Sequence, residues 1–374
     1  MSIETVQEEE STDAPLLSMD DVEVHYEPGG LIRRLLSSGE HKVKAVDGVS
    51  LDIEENDVVA IVGESGCGKT TLGKTAVALQ RPTGGSVRFR GQDVWEAKDD
   101  RKNADIDHDD IRRSLQIIHQ DPGSALNHTR TVLSTLADPL KRWRDDLGPL
   151  EREENIYKLL EFLGMTPAQD YANRYPHQLS GGEKQRVALG RALLMSPDLI
   201  LADEAISALD VSLRVEMMDL MLEIQEEFDT SYLFISHDLA NARYLAKKSG
   251  GRIGIMYLGH IVEIGTADQI LNDPQHPYTQ VLRWSTPPLD PTVAREVVGN
   301  EPPLRKIDVP DPLDPPSGCN FHPRCPKARE ACKEEDPAIV TEQEGIDTAC
   351  FRVDPDHEYW NSPPVEERRA ESAD

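Results

Sequence analysis

The segment Gly63-Glu64-Ser65-Gly66-Cys67-Gly68-Lys69-Thr70 fits the pattern G-x-x-x-x-G-K-[ST] in full and constrains this chain more than any other feature. It follows the unbroken apolar run Val58–Val62, which predicts a central parallel strand buried on both faces. A helix is expected directly after it, from Lys69 to about Leu79. Glycines at these positions let backbone N–H groups wrap phosphates, and the helix N-terminus adds its positive dipole end. Lys69 is placed to reach terminal phosphates and the Thr70 hydroxyl to ligate Mg²⁺, with Thr71 beside it in the first helical turn. A chance Gly-rich turn is a poor alternative, because the strand and helix flank it in the required order.

A second apolar strand, Leu199 to Ala202, ends in Asp203 and is followed by Glu204. Two acids at a strand end are common. Beside a phosphate loop they gain roles, Asp203 holding the Mg²⁺ shell and Glu204 polarising an attacking water. Leu179-Ser180-Gly181-Gly182-Glu183 reads as a helix start with Ser180 as N-cap. Its paired glycines also make it a second anion site. One phosphate loop plus one separate anion site suggests two copies meeting around nucleotide.

The remaining pattern is that of an α/β fold. Val22, Val24 and Tyr26 alternate with Asp21, Glu23 and His25 at the strand period. Gly29 to Glu40 reads as a loop, and the Asp-rich stretch Ala97 to Asp110 as a polar surface loop. Ile156, Leu159, Leu160 and Leu163 predict an amphipathic helix over Glu151–Leu163. A helix over Val211–Phe228 separates Leu199–Ala202 from a further core strand, Tyr232–Ile235. Strands alternating with helices imply a parallel sheet. From Asp273 prolines accumulate (Pro287, Pro288, Pro302, Pro303, Pro315, Pro316), predicting a linker and a small C-terminal appendage.

Charge narrows the function classes. The 374 residues carry 68 acidic against 40 basic side chains, a formal net of −28. Phosphate backbones repel such a surface, so no nucleic-acid partner is expected. An acidic, solvated surface suits concentrated salt and a salt-loving source. No apolar run approaches the ~20 residues needed to cross a bilayer. Met1 to Glu10 is acidic and unlike a signal peptide, so a cytosolic chain is expected, reaching a membrane only through a partner. That compartment disfavours disulfides among Cys67, Cys319, Cys325, Cys332 and Cys350. Cys67 reads as a small filler of the phosphate loop.

Taken together, these motifs resemble the ATP-binding subunits of ABC transporters over roughly Leu17 to Asp273, with Leu179–Glu183 as the LSGGE-type signature. The resemblance implies a P-loop NTPase of the ABC type, with an antiparallel β subdomain, a helical subdomain over about 122–182, and the small Cys-containing appendage. It also implies ATP and Mg²⁺ as ligands, and a head-to-tail dimer in which Ser180, Gly181 and Gly182 of one subunit meet the nucleotide of the other. Gln120 matches the Q-loop residue that senses Mg²⁺ and the attacking water. Asp210, in Ser207-Ala208-Leu209-Asp210, matches the D-loop, and His237 the switch histidine at the γ-phosphate. Tyr26 matches the aromatic that stacks on adenine; the plain alternative is a core tyrosine on an edge strand. One departure stands out: Ala205-Ile206 replaces the family's Pro-Thr after the catalytic glutamate, leaving that turn less rigid.

Other segments resemble the oligopeptide/dipeptide importers, a group that includes nickel-uptake relatives. They are Lys44–Ser50, Gln120-Asp121-Pro122 with Leu126-Asn127, His276-Pro277-Tyr278-Thr279, and Gly318–Pro326. Such systems pair this chain with an identical or paralogous ATPase, two transmembrane permease subunits and an external solute-binding protein, at the cytoplasmic side of the membrane. The late cysteines follow C-x5-C-x6-C-x17-C, without the C-x2-C pairs of structural zinc sites. Members of this group can carry a [4Fe–4S] cluster there; four thiolates suit it, and zinc or free thiols stay open. The expected organisation is a disordered acidic segment 1–16, an ATP-binding domain 17–273, a C-terminal extension 274–353 and an acidic tail 354–374. The rival class is a soluble ABC ATPase acting on nucleic acid or the ribosome.

Overall fold

The computed structural model describes residues 14–27, 42–121, 123, 126–286, 303–306, 308–341 and 345–365. Most of the N-terminal segment 1–16, the loop expected over Gly29–Glu40, and Pro122, Pro287, Pro288 and Pro302 lie outside them.

Twelve strands occur among the described residues: β1 (Leu17–Tyr26), β2 (Val43–Ile53), β3 (Val58–Val62), β4 (Gly84–Phe89), β5 (Gln92–Asp93), β6 (Leu115–Ile118), β7 (Leu199–Asp203), β8 (Ser231–Ser236), β9 (Arg252–Tyr257), β10 (His260–Thr266), β11 (Val340–Thr341) and β12 (Asp347–Thr348). They build two sheets. The smaller is antiparallel, in the order β2-β1-β4-β5. In the larger, β9-β3-β8-β7-β6 run parallel, and β10, β12 and β11 continue the β9 edge antiparallel.

Strand alternation divides the core in two. Val58, Ala60 and Val62 of β3, Ile200 and Ala202 of β7, and Tyr232 and Phe234 of β8 face one apolar cluster. Val59 and Ile61, Leu199 and Leu201, and Leu233 and Ile235 face the other, shared with β1, β2 and β4. Successive side chains of a strand point to opposite faces, so a parallel sheet covered on both sides needs the unbroken apolar runs seen here. Helix Lys69–Ala76 lies on the second face through Leu72 and Ala76. Helix Leu239–Ser249 covers the first through Leu239, Ala242, Leu245 and Ala246. Helices Val132–Trp143, Pro149–Phe162 and Gly181–Leu193 join that first cluster through Leu136, Leu140, Ile156, Leu160, Val187 and Leu189.

Two expectations from the sequence need correction. The Asp-rich stretch 97–110 is a loop only in its middle, because helices Val94–Asp99 and His108–Ser114 occupy its ends. Asp93, just before the stretch, accepts the amides of Trp95 and Glu96, and Asp107 within it accepts that of Asp109, so each helix starts on an aspartate cap. Of the chain after Asp273, the described residues 274–286 also differ from a linker, whereas 287–302 lie outside the described residues. Helix Pro277–Ser285 buries Tyr278 in the core, and β12 adds to β10, making the C-terminal segment part of the main sheet.

Candidate functional site

β3 ends in the loop Gly63–Gly68, which curls back against the turn between β9 and β10. Cys67 O accepts the amide of Gly259 at 2.9 Å, and Gly68 adopts φ 111° at the start of helix Lys69–Ala76. A Cβ on Gly68 would stand 1.9 Å from Ala45 O, so only glycine fits both the torsion and the space. As at any helix start, the first amides, at Lys69, Thr70 and Thr71, lie ahead of the first intrahelical bond and are open to an anion. Lys69 is 4% exposed, and its ammonium fills the loop, donating to Gly63 O at 2.8 Å and Glu64 O at 2.9 Å. Cys67 is buried with Sγ 3.9 Å from that ammonium, and burial pushes its thiol pKa up, which makes it inert filler.

Thr70 Oγ1 donates to Asp203 Oδ1 at 2.9 Å, joining the helix start to the end of β7. Burial raises the Asp203 pKa, opposed by the Thr70 hydrogen bond and the Lys74 charge. A hydroxyl beside a carboxylate is a hard-oxygen pair of the kind Mg²⁺ takes through its waters, so Thr70 and Asp203 fit that ion. Glu204 has φ 50°, and its amide donates to Ile235 O at 3.1 Å. Its carboxylate stands between two other groups: Gln120 Nε2 donates to Oε2 at 3.3 Å, and His237 Nδ1 lies 3.4 Å from the same oxygen. Ala205 and Ile206 are buried, and Ser207 donates to Glu204 O through both its amide and hydroxyl, which holds the turn that lacks proline.

The remaining candidates lie elsewhere on the chain. Tyr26 is 40% exposed, and its hydroxyl donates to Gln80 at 2.9 Å. His25 turns to the other side of β1 and meets Asp47 Oδ1 at 3.0 Å. Ser180 caps helix Gly181–Leu193 in a reciprocal box with Glu183; Ser180 and Gly181 are exposed, whereas Gly182 is buried. Asp210 caps helix Val211–Phe228 by accepting the Leu213 amide at 3.0 Å.

The four late cysteines line one small cavity with Phe321, His322 and Tyr359. Burial pushes all four thiols up, Cys325 to about 12, Cys350 to about 11 and Cys319 well above its usual range, and at Cys319, Cys325 and Cys350 charges on neighbouring thiols would add to this. Among the described residues no three of these sulfurs lie mutually within 4.8 Å. A zinc ion 2.3 Å from four sulfurs would hold them about 3.8 Å apart. The spacing is therefore wider than a single zinc ion requires.

Sequence reasoning passed over two residues at this site. Tyr278 and Arg324 lie in the C-terminal segment, yet both bond Glu64 of the phosphate loop.

Residues 46–207 match the ABC transporter family, and residues 262–332 match the oligopeptide/dipeptide transporter C-terminal region. The chain is 38% identical over 342 residues to the dipeptide transport ATP-binding protein DppF of Haemophilus influenzae, covering 91% of this chain and 97% of that one. It is 40% identical over 323 residues to the oligopeptide transport ATP-binding protein AppF of Bacillus subtilis, covering 86% and 92%. Among solved structures, the dimeric ATP-binding cassette MJ0796, bound to ADP and Pi after hydrolysis, aligns with TM-score 0.54 and 28% identity, over 67% of this chain and 98% of that one. CbiO1 of Clostridium perfringens, at 21% identity and TM-score 0.57 over 76% of this chain and all of that one, shares the fold. The chain therefore belongs to the ABC transporter ATPases, in the branch that carries the oligopeptide/dipeptide transporter C-terminal region.

Proposed function

We propose that this chain binds and hydrolyses ATP to energise a di- or oligopeptide importer from the cytoplasmic face of the membrane. The observation that carries the reading is Glu204, held between Gln120 and His237 at the end of the strand whose Asp203 meets Thr70. ATP would lie with its phosphates on the amides of Gly63–Thr71 and its adenine against Tyr26. Lys69 would exchange its loop carbonyls for phosphate oxygens. Thr70, Asp203 and Gln120 would hold Mg²⁺, which would supply charge neutralisation at the phosphates. Glu204 takes a proton from water as the water oxygen bonds the γ-phosphorus and the bond to the β-phosphate oxygen breaks; ADP leaves with that electron pair. His237 orients the γ-phosphate. Ser180, Gly181 and Gly182, with Asp210, would meet the nucleotide and D-loop of a second ATPase, identical or paralogous, as the dimeric relative supports.

The C-terminal match at 262–332 and the peptide-transport names of the relatives support the substrate class. Two permease subunits and an external solute-binding protein complete the reading. Peripheral attachment is supported by the described helices, none of which is long and apolar enough to cross a membrane. We assign the ATP-binding domain to 17–273, its helical subdomain to about 122–182 and the extension to 274–353. Affinity purification of the chain from its own membranes in mild detergent, with partners identified by mass spectrometry, tests this. Two membrane subunits, a second ATPase and a peptide-binding protein would support it. A nickel-binding partner would move the substrate class. Ribosomes or nucleic-acid enzymes alone would overturn the transporter.

Cys319, Cys325, Cys332 and Cys350 are proposed to hold a [4Fe–4S] centre, supported by the cavity that all four line. Anaerobically purified protein should carry about four irons and four sulfides per chain, with both lost in Cys332→Ser. Stoichiometric zinc instead would refute it. The net charge of −28 supports a chain adapted to salt; its melting temperature should rise as salt screens that self-repulsion, and a flat response would contradict it.

A further inference from the structure

Glu64, the second residue of the phosphate loop, is held from the C-terminal segment by both backbone and side chain. Tyr278 Oη accepts its amide at 3.0 Å. Arg324 donates to both carboxylate oxygens, Nη1 to Oε2 at 3.0 Å and Nη2 to Oε1 at 3.0 Å. That guanidinium is 4% exposed, reaches Tyr257 Oη at 3.4 Å, and lies under 6 Å from the ring centroids of Tyr257 and Phe321. A planar fork enclosed by rings and paired bidentately is a fixed anchor, which a lysine could not reproduce.

The position of Glu64 explains why an anchor is needed there. Its carbonyl accepts from Lys69 Nζ at 2.9 Å, so Glu64 sets where the lysine waits before it turns to phosphate. Its carboxylate, two residues from Gly66, would repel a polyphosphate unless a cation neutralised it. Arg324 supplies that cation, and Tyr278 fixes the backbone. Arg324 also directly precedes Cys325 on a turn in which Phe321 O accepts the amides of both residues at 3.0 Å. The order of the thiol-rich segment and the place of Glu64 are therefore one bonded step apart.

We propose that Arg324, backed by Tyr278, is a positioning residue for the phosphate loop: it neutralises and fixes Glu64, so that the C-terminal segment sets the affinity of the site for nucleoside triphosphate. This rests on reading Gly63–Thr70 as the phosphate site.

The test compares wild type, Arg324→Met, Arg324→Lys, Glu64→Gln and the double variant Glu64→Gln/Arg324→Met, each as the full chain. MgATP binding, steady-state hydrolysis and thermal unfolding are measured for each. Arg324→Met should raise the KM for ATP by about tenfold, the order expected for losing a charged hydrogen-bonded partner, with kcat nearly unchanged. Arg324→Lys should fall between, keeping the charge without the fork. The double variant should recover most of the lost affinity, because no unpaired carboxylate remains. A merely structural Arg324 would leave the double variant as impaired as Arg324→Met, and that result overturns the proposal, as does an unchanged KM. If Arg324→Met does not fold, Arg324→Gln, which also removes the charge but keeps a polar side chain, decides by the same rescue with and without Glu64→Gln. A wrong phosphate-site reading shows itself differently: Lys69→Ala would then bind MgATP as wild type does.

Discussion

The Thr70 hydroxyl donates to Asp203 across 2.9 Å, so the start of the first helix and the end of β7 are in direct contact. Asp203 is buried, and burial raises its pKa because the charged form loses solvation. A divalent cation arriving there gains a desolvated carboxylate whose charge is otherwise offset mainly by Lys74 and a hydroxyl. Asp203→Asn keeps the shape and removes the charge. It should reduce the advantage of MgATP over metal-free ATP by about 10- to 100-fold, the usual range for losing a partner of a metal's water shell. Titration of each variant with ATP, with and without Mg²⁺, measures that ratio. An unaltered ratio would remove Asp203 from the ion.

Glu204 shares one carboxylate oxygen with Gln120 and His237. Glu204→Gln is nearly isosteric and leaves those contacts available, but cannot take a proton. ATP affinity should hold while turnover drops by about 10²–10⁴-fold, the typical contribution of a general base. The variant should accumulate as an ATP-dependent dimer, visible by light scattering. Substantial turnover would show that the proton goes elsewhere.

Two glycines of the loop separate torsional from steric demands. Gly66 and Gly68 both have positive φ, 83° and 111°, but a Cβ meets nothing within 4 Å at Gly66 and Ala45 O at 1.9 Å at Gly68. Gly66→Ala carries only the strain of about 1–3 kcal/mol expected at such torsions. Gly68→Ala adds a clash with backbone that cannot rotate away. Calorimetric ATP titration should show a clearly larger loss for Gly68→Ala. Equal losses would mean that the loop relaxes around Ala45.

The strand, Gly-rich loop and helix around Gly63–Thr70 were legible in the sequence because their signals are local: an apolar run, spaced glycines and a helix start within one short stretch. The strand ending in Asp203 was legible for the same reason. Gln120 and His237 came from resemblance, since one amide and one histidine carry no pattern of their own. Arg324 and Tyr278 were not legible as partners of Glu64, which lies 260 and 214 residues away in the chain, because tertiary packing alone creates the contact. The helices flanking the Asp-rich stretch were missed although Asp93 and Asp107 stand as N-cap signals before them. Composition was read there ahead of position.

Tyr26 combines 40% exposure with a single outward hydrogen bond to Gln80, so it contributes little to the core. If its ring stacks on adenine, Tyr26→Ala should weaken ATP by up to about tenfold, matching 0.5–1.5 kcal/mol for an aromatic pair. Inorganic triphosphate, which lacks the base, should bind both forms alike. Tyr26→Phe, which keeps the ring and drops the hydroxyl, should behave as wild type. Parallel losses for ATP and triphosphate would make Tyr26 a support of the fold instead.

His276 is 1% exposed, and its Nδ1 accepts the Tyr278 amide at 3.1 Å, starting the helix that carries Tyr278 to Glu64. Burial, with a smaller push from Arg352, lowers its pKa from 6.5 to about 3. The ring is thus neutral in the folded chain and charged in the unfolded one between those values. Stability from this group is complete above pH 6.5 and is lost as pH falls toward 3, because the unfolded state then binds the extra proton. Each pH unit is worth at most about 1.4 kcal/mol, giving about 2 kcal/mol at pH 5. His276→Asn keeps an acceptor for the Tyr278 amide and removes the titration. Chemical denaturation should therefore show wild type losing about 2 kcal/mol more than the variant between pH 7 and 5. Parallel pH curves would mean that the folded protein accommodates the charged ring, and the lowered pKa would be wrong.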